Sequence, residues 1–384
     1  MDDSAKLPLD DEPLPTEDEA DFTTGILPRQ GIFKAIRSGE IVAEEPIPDE
    51  QIQPASIDLR LGRVAYRVRT SFLPGAGATV HDKLDQLTMH KFDLTDGAVL
   101  ERNCVYVVPL LESLKLRART NAMANPKSST GRLDIFTRVI TDGATEFDRI
   151  EDAYKGRLFA EISPRTFSVL VRTGTRLSQL RLRHGSPPAT DADMRRLHER
   201  SPLVNSDSGD ANIASGVAVS VDLSSDKNLG IVGYRAKHHT GVIDVEKVGH
   251  YDIDDYWEPI YEKRGRLILD PKDFYILRSK ESVSVPPNYA AEMRAYDTFV
   301  GEFRVHYAGF FDPGFGYAAA GGGGSRAVLE VRSHDVPFLL EDGQVVGRLI
   351  YERLTQPPDQ LYGADIGSNY QSQGLKLSKH FKQD

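Results

Sequence analysis

The chain has 384 residues, with 57 acidic against 47 basic side chains and a formal net charge of −10. That length exceeds one ordinary domain and suits two of roughly 150 residues each, and an apolar content of 40% is enough for sizeable cores. The acidic balance argues against broad nucleic-acid binding, the single Cys104 excludes a disulfide framework and a zinc site of the His/Cys/Cys or three-cysteine kind, and no stretch approaches the ~20 apolar residues of a membrane span.

Residues 1–21 are acidic and proline-dotted, a composition that reads as a disordered tail and is unlike the basic, apolar start of a signal peptide. The chain therefore reads as soluble and cytoplasmic, with no membrane partner. A short helix is expected over Gln30 to Ser38, where Ile32, Phe33 and Ile36 share a face and Gly39 stops it. Short strands follow: Ser56 to Gly62, Val64 to Val68 and Val105 to Leu110, separated by Gly, Pro, Asn and Asp. His184 to Gly216 breaks the pattern with Pro187-Pro188, a charged helix candidate from Ala192 to Arg200, and polar clusters. Strands resume at Val217, and the Ala- and Gly-rich run from Ala318 to Ser325 reads as a flexible loop tip. Many short strands with few helices predict an all-β fold, a barrel or sandwich.

The two halves echo each other. Tyr106 and Tyr275 stand 169 residues apart, as do Glu112-Ser113 and Glu281-Ser282, Glu161 and Glu330, Gly174 and Gly343, and Leu180 and Leu349. Ser56-Ile-Asp-Leu59 is mirrored by Ser220-Val-Asp-Leu223 at an offset of 164. Ordered matches of this kind indicate a duplicated β-domain. The expected layout is a tail (1–21), a first domain (22–185), a linker (186–215), a second domain (216–356) and a C-terminal arm (357–384).

Five segments carry candidate chemistry. Pro126-Lys-Ser-Ser-Thr-Gly-Arg132 packs two cations, three hydroxyls and a glycine into seven residues, the set a polyphosphate needs, although a polar turn would use the same types. Glu161 and Glu330 each sit inside an apolar strand, where desolvation would suit a carboxyl to general acid–base work; a strand-edge glutamate in solvent, or a structural ion pair, is the alternative. Asp312, in Phe311-Asp-Pro-Gly-Phe315, could accept a hydrogen bond from a sugar hydroxyl while a ring covers its face, or could simply serve a hairpin turn. The segment from Leu361 to Gly374 is rich in hydrogen-bonding groups, as either a closing arm or a frayed tail would be.

Taken together, these residues resemble the deoxycytidine triphosphate deaminase family of the dUTPase-like β-barrel superfamily. The resemblance implies two tandem dUTPase-like distorted β-barrel or jelly-roll domains. It places Ser128 and Arg132 where residues assist catalysis, Lys127 and Ser129 where phosphate binds, and Asp312 at the sugar. Glu330 takes the catalytic position, with Glu161, Arg149 and Glu151 matching the same glutamate and loop in the first half. Tyr362, Tyr370 and Gln373 match the arm that closes on the nucleotide. Lys127 departs from the usual arginine, Glu151 from the expected aspartate and Asn369 from a common lysine. The duplication itself departs from the single-domain homotrimer. Only the first half holds the phosphate motif, which suggests a composite site pairing it with Asp312, Glu330 and the arm; a ring of first halves using Glu161 is the competing arrangement.

The implied reaction is zinc-independent hydrolytic deamination of dCTP to dUTP and ammonia, feeding pyrimidine deoxynucleotide synthesis. A glutamate would serve as base, and Mg²⁺ would be carried on the triphosphate. The resemblance also implies feedback inhibition by dTTP and a homo-oligomer, or a pseudo-oligomer formed by the duplicated domains. The rivals are a dUTP diphosphatase or bifunctional enzyme, distinguished by release of pyrophosphate and dUMP, and a nucleotide-binding regulator, distinguished by affinity without turnover.

Overall fold

The computed structural model describes residues 23–185, 190–205, 211–224, 230–295, 303–305, 309–318, 323–333, 335–363 and 374–382. The acidic tail, part of the Gly-rich tip, and Tyr370 and Gln373 of the arm lie outside them. The protein is all-β with a few short helices. The first helix spans Arg29–Arg37 and ends where Gly39 takes a φ of +75°, a conformation an L side chain resists. Val64–Val68 and Val105–Lys115 are strands as expected. Helix Val80–Leu87, which the sequence reading passed over, starts on a reciprocal capping box between Thr79 and Asp82. The interdomain stretch carries a helix, Asp191–Arg200, capped in the same way by Thr190 and Asp193, and Met194 and Leu197 bury its apolar face in the second-half core.

The internal repeat reappears in the hydrogen bonding. The Tyr106 hydroxyl accepts from the Glu101 N–H at 3.0 Å, and the Tyr275 hydroxyl from the Asp270 N–H at 2.9 Å. Gly174 and Gly343, both at positive φ, donate to Leu61 and Val221 at 2.8 and 2.9 Å. Register repeats as well: Tyr106 faces Ile162 as Tyr275 faces Val331, and Leu180 faces Ala124 as Leu349 faces Met293.

What covers the equivalent sheet faces is different. Strand Lys155–Pro164 turns Phe159 and Glu161 toward one face, where Phe159 packs with Val80 and Leu84 of the local helix. Strand Ser325–Ser333 turns Val328 and Glu330 toward the corresponding face, but there Val328, Phe274 and Ile276 join the large core of the first half. An aromatic cluster seals this junction, with Phe167, Trp257, Phe274, Tyr256 and Phe381 in edge or tilted contact at centroid distances of 5.5–6.0 Å. One glutamate is thus roofed by its own half, and the other is pressed against the neighbouring half.

Candidate functional site

The hydroxyl-rich turn joins strands Thr120–Pro126 and Ile135–Thr141 through a single helical turn, Ser128–Gly131. The Lys127 carbonyl accepts from the Thr130 and Gly131 N–H groups, both at 2.9 Å, which closes the turn. Ser129 and Arg132 are buried, while Lys127 and Ser128 are half-buried. The Lys127 ammonium pairs with Asp58, whose carboxylate also lies 3.8 Å from Arg176. Asp58 belongs to the Ser56-Ile-Asp-Leu59 element, which the sequence reading gave no site role.

Residues near the chain's end hold the turn from the other side. Arg132 donates to the Lys376 carbonyl at 2.9 Å. The Ser378 hydroxyl lies 2.9 Å from both the Ser129 carbonyl and His380 Nδ1, and His380 Nε2 lies 2.8 Å from the Val245 carbonyl. Burial lowers the His380 ring to about 4. A neutral ring carries one N–H, which Nε2 sends to the Val245 carbonyl, while the single Ser378 hydroxyl proton goes to the Ser129 carbonyl. Leu375, Leu377 and Phe381 are buried alongside. The end of the expected arm is therefore anchored. At its other end, the Tyr362 N–H donates to the Pro313 carbonyl at 2.8 Å, and the Tyr362 ring lies 5.7 Å from Phe315.

Asp312 stands at the head of the Asp-Pro-Gly turn. Gly314 adopts a φ of +93° there, and a Cβ would lie 3.0 Å from the Tyr362 carbonyl oxygen, so only glycine fits without strain. The Asp312 carboxylate is buried and accepts from Arg181 at 3.2 Å. Arg181 comes from a first-half strand, donates also to the Ala291 carbonyl at 3.1 Å, and lies 4.0 Å from the centre of the Phe310 ring. Burial pushes the Asp312 carboxyl above its ordinary value; Arg181 and Lys127 oppose the shift, and Asp58 adds to it. Asp312 and the hydroxyl-rich turn therefore sense each other's charge within one chain.

Glu330 and Glu161 occupy equivalent strand positions and both are buried. Burial pushes the Glu330 carboxyl up to about 7, with the Arg132 guanidinium opposing the shift and Asp134 adding to it. Asp134 is itself paired with Arg332, two residues beyond Glu330 on the same strand face. Glu161 is instead bonded at 2.5 Å to Arg138, which stacks on the Phe147 ring at 3.4 Å and donates to Ser71 at 2.9 Å. Asp148 completes this group, taking the Val139 N–H at 2.7 Å, and burial raises it to about 7. Glu161 is thus spoken for by a local cation under an aromatic lid, whereas Glu330 feels the charge of the first half's Arg132.

Arg149 and Glu151, the first-half counterparts of the sugar loop, are not gathered with the turn. They form an exposed ion pair at 3.4 Å, with Glu146 3.2 Å from Arg149. Sequence reasoning missed Arg181, whose signal was a cation between Leu180 and Leu182 inside a strand, a position that demands a buried partner. Among the described residues no group of three or more His, Cys, Asp or Glu is arranged to hold a metal, and no helix is long and apolar enough to cross a membrane.

Residues 23–186 and 190–381 match, respectively, the N-terminal and C-terminal domains of the 2′-deoxycytidine 5′-triphosphate deaminase family. A dCTP deaminase from Haloarcula marismortui is 30% identical over 196 residues, which is 50% of this chain and 93% of that protein. A dUMP-forming dCTP deaminase from Halobacterium salinarum is 33% identical over 127 residues, 32% of this chain and 60% of its own length. The crystal structure of a 2′-deoxycytidine 5′-triphosphate deaminase from Agrobacterium tumefaciens superposes with a TM-score of 0.83 at 57% identity, covering 86% of this chain and 99% of that one.

Proposed function

Because the chain belongs to the 2′-deoxycytidine 5′-triphosphate deaminase family, we propose that it converts dCTP and water to dUTP and ammonia, with Glu330 as the general base. The observation that carries this reading is a buried second-half carboxyl, raised to about 7, beside Arg132 of the first-half hydroxyl-rich turn. A base with that proton affinity is half ionised at neutral pH, where it can both take and return a proton. Its carboxylate takes a proton from water as the oxygen bonds to C4 of cytosine and passes it to N3. It then takes the proton of the new C4 hydroxyl and gives it to the exocyclic amine, so that the C4–N bond breaks, ammonia leaves and the C4 carbonyl forms. Arg132 and the Ser128 hydroxyl are donors preorganised for the charge that develops on the ring and the adding oxygen. Asp312, fixed by Arg181, takes the sugar hydroxyl, Lys127 and Ser129 take phosphate, and Tyr362 covers the sugar loop.

The chemistry needs no resident metal. A single cysteine cannot furnish a His/Cys/Cys or three-cysteine zinc site, and a turn that presents Lys127 and Arg132 suits phosphate oxygens rather than a divalent cation, so Mg²⁺ enters on the triphosphate as part of the substrate. The dUTP formed feeds pyrimidine deoxynucleotide synthesis, and dTTP, with a matching sugar and triphosphate, competes for the same subsites.

The test incubates dCTP with the wild type, Glu330→Gln and Glu161→Gln, following ammonia and nucleotide products. Glu330→Gln is expected to lose roughly 100- to 10,000-fold in rate, the usual contribution of a positioned base. Full activity of that variant would overturn the assignment. Pyrophosphate and dUMP appearing in step with ammonia would add a diphosphatase step to the reaction.

A further inference from the structure

A cavity of about 590 Å³ opens between the two halves, lined by none of the residues proposed to hold the nucleotide. Its size suits a small-molecule site, which commonly measures about 300–1,000 Å³. The first half supplies Arg102 and Asn103 from one turn and Arg165 and Thr166 from another. The second half supplies Lys272 and Asp335, 169 residues beyond Asn103 and Thr166, so the internal repeat brings corresponding turns to one space. Backbone bonds fix these turns: the Asn103 N–H donates to the Pro164 carbonyl at 2.8 Å, the Arg165 N–H to the Asp134 carbonyl at 2.9 Å, and the Lys272 N–H to the Ser333 carbonyl at 3.1 Å. Asn103 and Lys272 share a left-handed backbone, at φ +61° and +68°. Asparagine adopts that region more readily than lysine, so the second half holds a cation at the cavity against its backbone preference.

The lining is cationic in an acidic protein. Arg102, Arg165, Lys272 and Arg332 stand against Asp134 and Asp335, an excess of two positive charges where the whole chain carries −10. His238, also on the wall, lies 3.0 Å from Asp273. Arg332 is bonded to Asp134, to the Lys272 carbonyl and to Thr166 at 2.9 Å, yet its buried Nε–H has no partner among the described residues. Among the described residues no carboxylate pairs with Arg102, Arg165 or Lys272. Cations gathered round one cavity repel one another, and an oxyanion relieves this while accepting from their N–H donors. Phe136 and Phe274 give the wall an apolar part. We propose that the cavity is a second anion site, for a ligand bearing phosphate groups, with Arg102, Arg165 and Lys272 on the phosphate oxygens and the Arg332–Asp134 pair as its floor. The site stands apart from the substrate site and does not depend on the deaminase reading.

The experiment titrates pyrophosphate and ADP calorimetrically into Lys127→Gln protein, where phosphate binding at the hydroxyl-rich turn is weakened. The same titrations are run with Arg102→Gln, Arg165→Gln, Lys272→Gln or Lys272→Arg added. Losing one charge-assisted contact should weaken pyrophosphate about 10- to 100-fold, and Lys272→Arg should keep most of the affinity. ADP binding more tightly than pyrophosphate assigns the site to nucleotides that use the apolar wall; equal binding assigns it to free phosphate anions. With Lys127 intact, the three glutamine substitutions should leave kcat and KM for dCTP unchanged. Absence of pyrophosphate binding, or an affinity that none of the three substitutions alters, refutes the site. A KM for dCTP that rises in step with the lost pyrophosphate affinity refutes it too, because the cations would then serve the substrate. A changed sedimentation coefficient with unchanged anion affinity would give them instead to a contact between copies of the chain. If the wild type releases no ammonia from dCTP, the deaminase reading fails, and the titrations still decide whether the cavity holds an anion. Melting temperatures identify any misfolded variant, and the three positions, on separate turns, each test the site independently.

Discussion

Replacing Glu330 by glutamine tests the electrostatics of the site separately from its catalysis. Burial raises this carboxyl from an ordinary value of 4.5 to about 7. At about 1.4 kcal/mol for each tenfold change in proton affinity, holding the group ionised in the folded chain costs about 3 kcal/mol. The sign follows from which state binds the proton more tightly. Here the folded state does, so the contribution is most favourable below pH 4.5, is lost as the pH rises from 4.5 to 7, and stays lost above that. Glutamine keeps the size and polarity of the side chain but has no charge to desolvate. Urea denaturation of both proteins at pH 5, 6, 7 and 8 should therefore show Glu330→Gln gaining stability relative to the wild type, with the advantage growing toward about 3 kcal/mol by pH 8. The same proton governs the chemistry, so wild-type kcat/KM for dCTP should rise with pH and level off above about 7. A stability difference that stays flat across this range would mean that Glu330 is not desolvated in solution and that its role as a tuned base is wrong.

Other substitutions separate structural from reacting groups. Glu161→Gln should leave ammonia release intact while costing about 1–3 kcal/mol in chemical denaturation, because Arg138 loses its charged partner but keeps Phe147 and Ser71. Arg181→Met strands the Asp312 carboxylate in a buried position; a loss of about 3–5 kcal/mol in denaturation, with a raised KM for dCTP, is expected. Phe381→Ala empties a fully buried position in the aromatic cluster and should cost about 3–5 kcal/mol. Its thermal melt should fall, and its KM for dCTP should rise as Ser378 loosens from Ser129.

The groups that could be read from the sequence are those whose chemistry is local. Lys127 to Arg132 advertise themselves by density of cations and hydroxyls, Asp312 by its Pro-Gly turn, and the glutamates by apolar neighbours on a strand. The duplication was legible because some of the repeated residues make the same hydrogen bond in both halves, as Tyr106 and Tyr275 do and as Gly174 and Gly343 do. Which glutamate faces the turn was not, because the two strands carry the same pattern and differ only in what covers them. Helix Val80–Leu87 roofs one face and the neighbouring half covers the other. The capping box at Thr79 and Asp82 was the available sign of that roof. Arg181 and Asp58 escaped for a different reason: their partners are 131 and 69 residues away, and spacing along the chain carries no information about such contacts.

The bond from Ser378 to Ser129 spans 249 residues. During translation at about 5–20 residues per second, the turn emerges roughly 12 to 50 s before the segment that braces it. The first half cannot brace its own hydroxyl-rich turn as it leaves the ribosome, even when its strands have paired. The contacts from Ser378 to Ser129 and from Arg132 to the Lys376 carbonyl form only once the last residues have been made, so the turn takes its final support late and all at once.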